Sequence, residues 1–164
     1  DWLILGGAIK RPIHFVMDKG FASLPIMKQI AGQEWVIPIA SEKRDEVAYE
    51  QAFVSIRRKI REGWLVGIFP EGHLTADGKV DFFRKGGVEK ILERDPVPVL
   101  PVAINGLWDS WFSRQGGAAL AKKPRRFRAR ITITIGAPVP PEEATVAILE
   151  EQVRELWQRH PNRP

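Results

Sequence analysis

The sequence predicts an α/β fold, a mostly parallel or mixed sheet flanked by helices. Short apolar runs at residues 13–17, 35–39, 64–69 and 97–104 read as strands, and an amphipathic helix at 45–62 separates two of them. Strands that alternate with helices imply βαβ crossovers. The unbroken run 97–104 suits a strand covered on both faces. With 164 residues, no internal repeat and no linker, the chain is expected to form a single domain, 1–164.

Taken in order, residues 2–9 are apolar and close at Lys10-Arg11-Pro12, as the end of a helix does. A strand over 13–17 precedes a helix predicted for 24–31, which starts beside Pro25 and stops at Gly32. Pro38 puts the 35–39 strand near an edge or at its own end. Over 45–62, Tyr49, Ala52, Phe53, Ile56 and Ile60 recur at helical spacing, with Asp45 as cap and Gly63 as stop. The 64–69 strand runs into a polar loop with an Asp77-Gly78 turn, and a short helix over 87–93 closes at Asp95-Pro96. Residues 127–135 alternate: Phe127, Ala129, Ile131, Ile133 and Ile135 take one face, Arg128, Arg130, Thr132 and Thr134 the exposed one. Pro140-Pro141-Glu142-Glu143 opens a last helix with the stripe Val146, Leu149, Val153, Leu156 and Trp157. Its i,i+4 pairs are Glu150–Arg154 and Glu155–Arg159.

Composition narrows the chemistry. No cysteine is present, which removes thiolate catalysis and Cys-based zinc sites. No GxGxxG, Walker A loop or GxSxG elbow appears. The three histidines, His14, His73 and His160, define no metal geometry, so no metal is expected. His14 reads as a strand residue and His160 as a solvated C-terminal one. Net charge is +5, and six of the nine residues 122–130 are Lys or Arg. Such a patch suits a polyanion or an anionic lipid surface, and equally a solvated strand edge. No apolar run approaches the ~20 residues needed to span a bilayer.

Chemistry concentrates where the 64–69 strand ends. Glu71 can orient backbone and hydroxyl groups, Gly72 lets backbone approach a ligand, and Thr75 adds a hydroxyl. Arg84 and Lys85 then precede a helix N-terminus, a setting suited to anions. Together these residues favour a phosphate-bearing ligand.

Phe69-Pro70-Glu71-Gly72-His73-Leu74-Thr75 resembles the FPEG motif of the glycerolipid acyltransferases, the lysophosphatidic acid acyltransferase family. Val97-Pro98-Val99-Leu100-Pro101-Val102 is similar to that family's V-P-V-x-P-V motif, and Phe83-Arg84-Lys85-Gly86 to its basic segment between the two. The resemblance covers nearly the whole chain. Residues 112–114 and 123–128 look like a bacterial branch whose domain is sometimes fused to a lipid transporter. The resemblance implies a glycerol-3-phosphate acyltransferase-like fold. Asp1 then fits the aspartate of the family's His-x4-Asp motif, whose general-base histidine would stand five residues ahead of Asp1, so the chain is expected to be a fragment lacking its N-terminal part. The strand 35–39 lacks the arginine the family carries near it; Lys43 or Arg44 can substitute from the loop.

The implied reaction moves an acyl group from acyl-CoA or acyl carrier protein to the hydroxyl of a lysophospholipid or glycerol phosphate, without a prosthetic group. On the resemblance, Asp1 is catalytic, and Glu71, Gly72, His73, Thr75, Arg84, Lys85 and Pro101 bind substrate. Trp108, Trp111 and Phe112, with Arg125 and Arg126, are expected to touch an anionic membrane from the cytoplasmic side, peripherally or as a cytoplasmic domain of a membrane protein. Two rivals remain at this stage. One is a non-catalytic lipid-binding domain of the same fold. The other is a basic nucleic-acid-binding module, although no recognition helix or RNP-like strand supports a nucleic-acid partner.

Overall fold

The computed structural model describes residues 2–23, 33–73, 75, 77–108 and 130–159. The chain divides into two compact units, residues 2–69 with 93–95, and residues 70–92 with 96–164. The architecture is α/β with a parallel sheet between helices, as predicted.

In the first unit, β1 (Ile13–Asp18) is the central strand, with β2 (Val36–Ile39) and β3 (Leu65–Gly67) parallel on either side. Because strand side chains alternate, Ile13, Phe15 and Met17 share one face and His14 and Val16 the other. On the Phe15 face lies α1 (Trp2–Ala8): the Trp2 ring meets Phe15 edge-on at 6.3 Å, and Phe69 stacks on Phe15 at 6.1 Å. A Cβ on Gly67 would come within 2.8 Å of the Phe15 ring, so this packing requires glycine there.

Against β2 and β3 packs α3 (Glu46–Arg61), burying Ala52, Phe53 and Ile56 from the predicted stripe. Its ends follow the sequence. The Asp45 carboxylate accepts the Ala48 N–H at 2.9 Å, and Gly63 turns away at φ 81°. That N–H, then Lys19 at 3.0 Å, holds the Asp45 carboxyl below the usual carboxylate range. The single-turn α2 (Lys19–Ala22), capped by Asp18, was not anticipated. The helix predicted for 24–31 lies outside the described residues. Trp35 belongs to a 3-10 turn, Gln33–Trp35, ahead of β2, and Pro38 does sit on an edge strand.

The second unit departs more from expectation. Instead of one strand over 97–104, β4 (Val102–Asn105) is short and pairs antiparallel with β5 (Thr132–Ile135). Upstream, among the described residues, only Val99 bridges, to Val139. Pro98 and Pro101 have no N–H to give a ladder, so the strand cannot extend. Leu100 is 47% exposed, and the expected burial on both faces is not realised there. Nor does β5 bury its predicted apolar face: Ile131 and Ile135 are 37% and 52% exposed. The covering helix, α5 (Val146–Gln158), lies mainly on β4.

Thr145 caps α5, accepting the Ile148 N–H at 3.3 Å, while residues 140–143 form a turn ahead of it. Val146, Leu149 and Leu156 are buried, and Val153 and Trp157 half-buried. Buried Asn105 donates to the Trp157 carbonyl at 3.0 Å, which satisfies one of the open carbonyls at the helix end. The short helix α4 (Gly87–Arg94) runs one residue beyond its predicted end.

Candidate functional site

The polar loop that begins at Pro70 belongs to the second unit, and its backbone is held by side chains. Pro70 accepts the Arg84 N–H at 2.9 Å, which brings the two ends of the loop together. Inside, the Glu71 Oε2 accepts the Asp81 N–H at 3.0 Å. Burial pushes the Glu71 carboxyl above the ordinary glutamate range, outweighing the Asp81 N–H that favours the carboxylate. Glu71 therefore organises the loop at an electrostatic cost.

Gly72 has φ 69°, a left-handed backbone that a side chain would strain. Here glycine is needed twice, because the Arg84 side chain lies across it. A Cβ on Gly72 would meet Arg84 Cδ and Nε at 3.0 Å. His73 uses both ring nitrogens within the loop, Nδ1 to the Glu71 carbonyl at 2.8 Å and Nε2 to the Asp81 carboxylate at 2.9 Å. The Phe82 N–H and then His73 hold the Asp81 carboxyl low.

Thr75 donates its hydroxyl proton to Asp77 at 3.0 Å, and Asp77 accepts the Lys79 N–H at 3.0 Å, so Thr75 closes the Asp77-Gly78 turn. Trp108 covers that turn: a Cβ on Gly78 would fall 2.5 Å from its indole. Pro101 is buried in the strand pair, its carbonyl accepting the Gly136 N–H at 2.9 Å.

Arg84 and Lys85 are exposed, and among the described residues neither cation has a carboxylate partner. At the start of α4 the Glu89 carboxylate takes the Gly86 N–H at 2.7 Å. Anion attraction here thus rests on the two side chains more than on the helix end. Arg44, considered as a substitute cation, is engaged by Asp18 at 3.0 Å in the first unit.

Sequence reasoning missed the residues that hold this loop. Glu150 on α5 accepts the Phe83 N–H at 2.8 Å while Arg154 pairs with it at 3.0 Å. Arg154 also donates to the Val80 carbonyl at 2.7 Å and lies over the Phe82 ring at 5.4 Å. The i,i+4 pair was legible; its grip on residues 80–83 was not, since nothing local encodes a partner some 70 positions away (67 and 74 positions). The predicted companion pair, Glu155 with Arg159, does not form. Asp81 had no signal beyond being one more loop carboxylate. Asp1, Trp111, Phe112, Arg125 and Arg126 lie outside the described residues.

His14 is a buried strand residue, as read, but its setting is unexpected. It is 2% exposed with neither ring nitrogen hydrogen-bonded, between the rings of Trp35 (5.0 Å) and Trp64 (5.5 Å). Burial and then the nearby Lys59 lower its pKa, and the Glu34 backbone opposes the shift.

Comparison with known proteins adds an independent line. The sequence model of the Acyltransferase family matches residues 1–105. No curated protein sequence matches the chain. Among solved structures, the fold is similar to the 1-acyl-sn-glycerophosphate (LPA) acyltransferase PlsC from Thermotoga maritima, with a TM-score of 0.64 and 20% sequence identity. The match covers 100% of this chain and 63% of that one.

Proposed function

The chain belongs to the acyltransferase family, and from that premise we propose that it serves acyl transfer from acyl-CoA or acyl carrier protein to the hydroxyl of a lysophospholipid such as 1-acyl-glycerol-3-phosphate. The observation that carries the acceptor class is the pair Arg84 and Lys85, exposed and without a carboxylate partner among the described residues, with Arg84 lying across Gly72. Two such cations at a glycine turn suit the phosphate of an acceptor. The similarity in fold to a protein described as an LPA acyltransferase supports the same acceptor.

In this reading Arg84 and Lys85 bind the acceptor phosphate, Gly72 gives Arg84 its resting place, and Glu71 keeps the loop closed. Pro101 and Thr75 act by shaping the neighbouring backbone. Binding the phosphate fixes the acceptor hydroxyl near its base, and positioning of this kind raises the rate without new covalent chemistry. Asp1 would orient the histidine that the family's motif sets five residues ahead of it; that base takes the hydroxyl proton as oxygen attacks the thioester carbonyl. No acyl-enzyme is needed, and phospholipid synthesis or remodelling is the setting.

Access to such a lipid would come from peripheral contact with an anionic leaflet on the cytoplasmic side, through the aromatic and basic residues 108–130. No helix among the described residues is long and apolar enough to cross a membrane. Sedimentation with liposomes tests this: binding should require anionic lipid, and binding indifferent to lipid charge contradicts it.

The direct test uses the full-length protein with an acyl thioester and 1-acyl-glycerol-3-phosphate, following free thiol release. We expect turnover that depends on the acceptor. Thioester cleavage of equal rate without acceptor would contradict acyl transfer.

A further inference from the structure

Both bonding partners of His73 are pure acceptors, the Glu71 carbonyl oxygen at 2.8 Å and an Asp81 carboxylate oxygen at 2.9 Å. A neutral imidazole carries one N–H, so it can donate to only one of them. The two bonds exist together only when each ring nitrogen bears a proton. Asp81, meanwhile, donates its own backbone N–H to the Glu71 carboxylate at 3.0 Å. Glu71 and Asp81 are therefore tied twice, once directly and once through the ring of His73.

We propose that His73 is a positioning residue: as an imidazolium it clasps Glu71 to Asp81, and so sets the spacing at which Arg84 lies across Gly72. This rests on the phosphate-binding reading of Arg84 given above. The clasp spans the neck of the loop. Glu71 and Gly72 stand on one side, and Asp81 leads through Phe82 and Phe83 to Arg84 on the other. Arg154 and Glu150 anchor residues 80 and 83 from α5, so His73 supplies the tie on the side that α5 does not reach. With both nitrogens committed to protein acceptors, the ring acts through the loop and not by donating to the phosphate.

The charged groups facing the clasp are the Glu71 and Asp81 carboxylates from the loop itself and the Arg154 guanidinium from α5. The His73 and Asp81 side chains are 38% and 46% exposed, so the clasp adds little to global stability. Its loss should be read in acceptor binding, not in folding. An imidazole with one bare nitrogen can make only one of the two bonds, and the loop then loosens.

Two readouts on the full-length protein test this. The first is the acceptor KM with 1-acyl-glycerol-3-phosphate across pH 6–9. In His73→Gln and Asp81→Ala the KM at pH 6 should rise about fivefold, the worth of one ordinary hydrogen bond, with kcat unchanged. The double variant should be no worse than either single one. The wild-type KM should climb with pH toward the variant value, while His73→Gln stays flat. A wild-type KM in His73→Gln at every pH overturns the positioning role.

The second readout needs no activity. In protein labelled with 15N at histidine, the resonances absent from His73→Gln should report protons on both ring nitrogens at pH 6. A ring with one bare nitrogen at that pH overturns the clasp. If wild-type protein fails to acylate lysophosphatidate, the functional reading fails, and the spectrum still decides the clasp.

Discussion

Cations of the first unit and cations of the loop are used in opposite ways. Arg57 and Arg61 close on the nearly buried Asp95 at 3.2 and 2.8 Å, Arg44 on Asp18 and Lys19 on Asp45, each at 3.0 Å. Arg84 and Lys85 close on nothing among the described residues. Yet the loop beneath them is braced at several points, by Glu71, Asp81, Glu150 and Arg154. Paired charges fix a backbone. Two cations without a carboxylate partner among the described residues, on a braced backbone, are the feature from which the phosphate-binding proposal starts, because an ordering cost met before a ligand arrives favours binding.

This contrast is broken most sharply at Arg84. Arg84→Ala should lower kcat/KM for a phosphate-bearing acceptor about 100-fold, by loss of a charge-assisted contact and the orientation it gives. Its thermal midpoint should stay at the wild-type value, since no carboxylate among the described residues loses a partner. Asp95→Ala should do the reverse. It leaves two arginines facing a buried gap and should cost about 1–2 kcal/mol, discounted because both arginines are largely exposed. Urea unfolding checks the loss, and the folded fraction should keep its acceptor KM.

Gly72→Ala lies between these cases. An alanine at φ 69° costs about 1 kcal/mol, and its Cβ displaces the Arg84 side chain. Stability should fall slightly and acceptor KM rise, measured by thermal denaturation and by steady-state kinetics.

Two titrating groups, the buried His14 and the half-buried Glu71, extend the comparison to stability. Burial depresses His14, so the fold binds that proton less well than the unfolded chain does. Its share of stability is full above the ordinary histidine value and declines as pH falls through the lowered folded value. His14→Phe should flatten the stability loss on the acid side of neutrality, followed as Tm against pH.

Glu71 has the opposite sign. Its raised carboxyl binds the proton better in the fold, so its contribution is largest below the ordinary glutamate value and fades as pH rises through the raised one. Glu71→Gln keeps an acceptor for the Asp81 N–H and removes the buried charge. At neutral pH its Tm should match or slightly exceed wild type while activity drops.

What the sequence revealed follows from how local each signal is. The 45–62 helix was legible from its stripe and caps, and both appear within a residue of where they were read. That Glu71, Gly72, Arg84 and Lys85 belong to one loop was legible, because they lie within a short span. Its bracing was not, since Glu150 and Arg154 reach it from a helix far along the chain. The strand read at 97–104 failed on a local fact that was in view: apolar character argued for a covered strand, but Pro98 and Pro101 withhold the donors a ladder needs. At 127–135 the alternation was real, yet alternation states which side chains share a face and not whether a neighbour covers it. His14 was placed in a strand by its apolar neighbours, and its aromatic enclosure by Trp35 and Trp64 depended on strand register.

The most direct measurement of the central claim is acceptor discrimination by the full-length protein and its Arg84→Ala variant. Each is offered 1-acyl-glycerol-3-phosphate and the same monoacylglycerol without phosphate, with one acyl thioester. If the loop binds phosphate, wild type should strongly prefer the phosphorylated acceptor, and Arg84→Ala should lose most of that preference while turning over the phosphate-free acceptor as before. An unchanged preference in a folded Arg84→Ala protein would contradict the account.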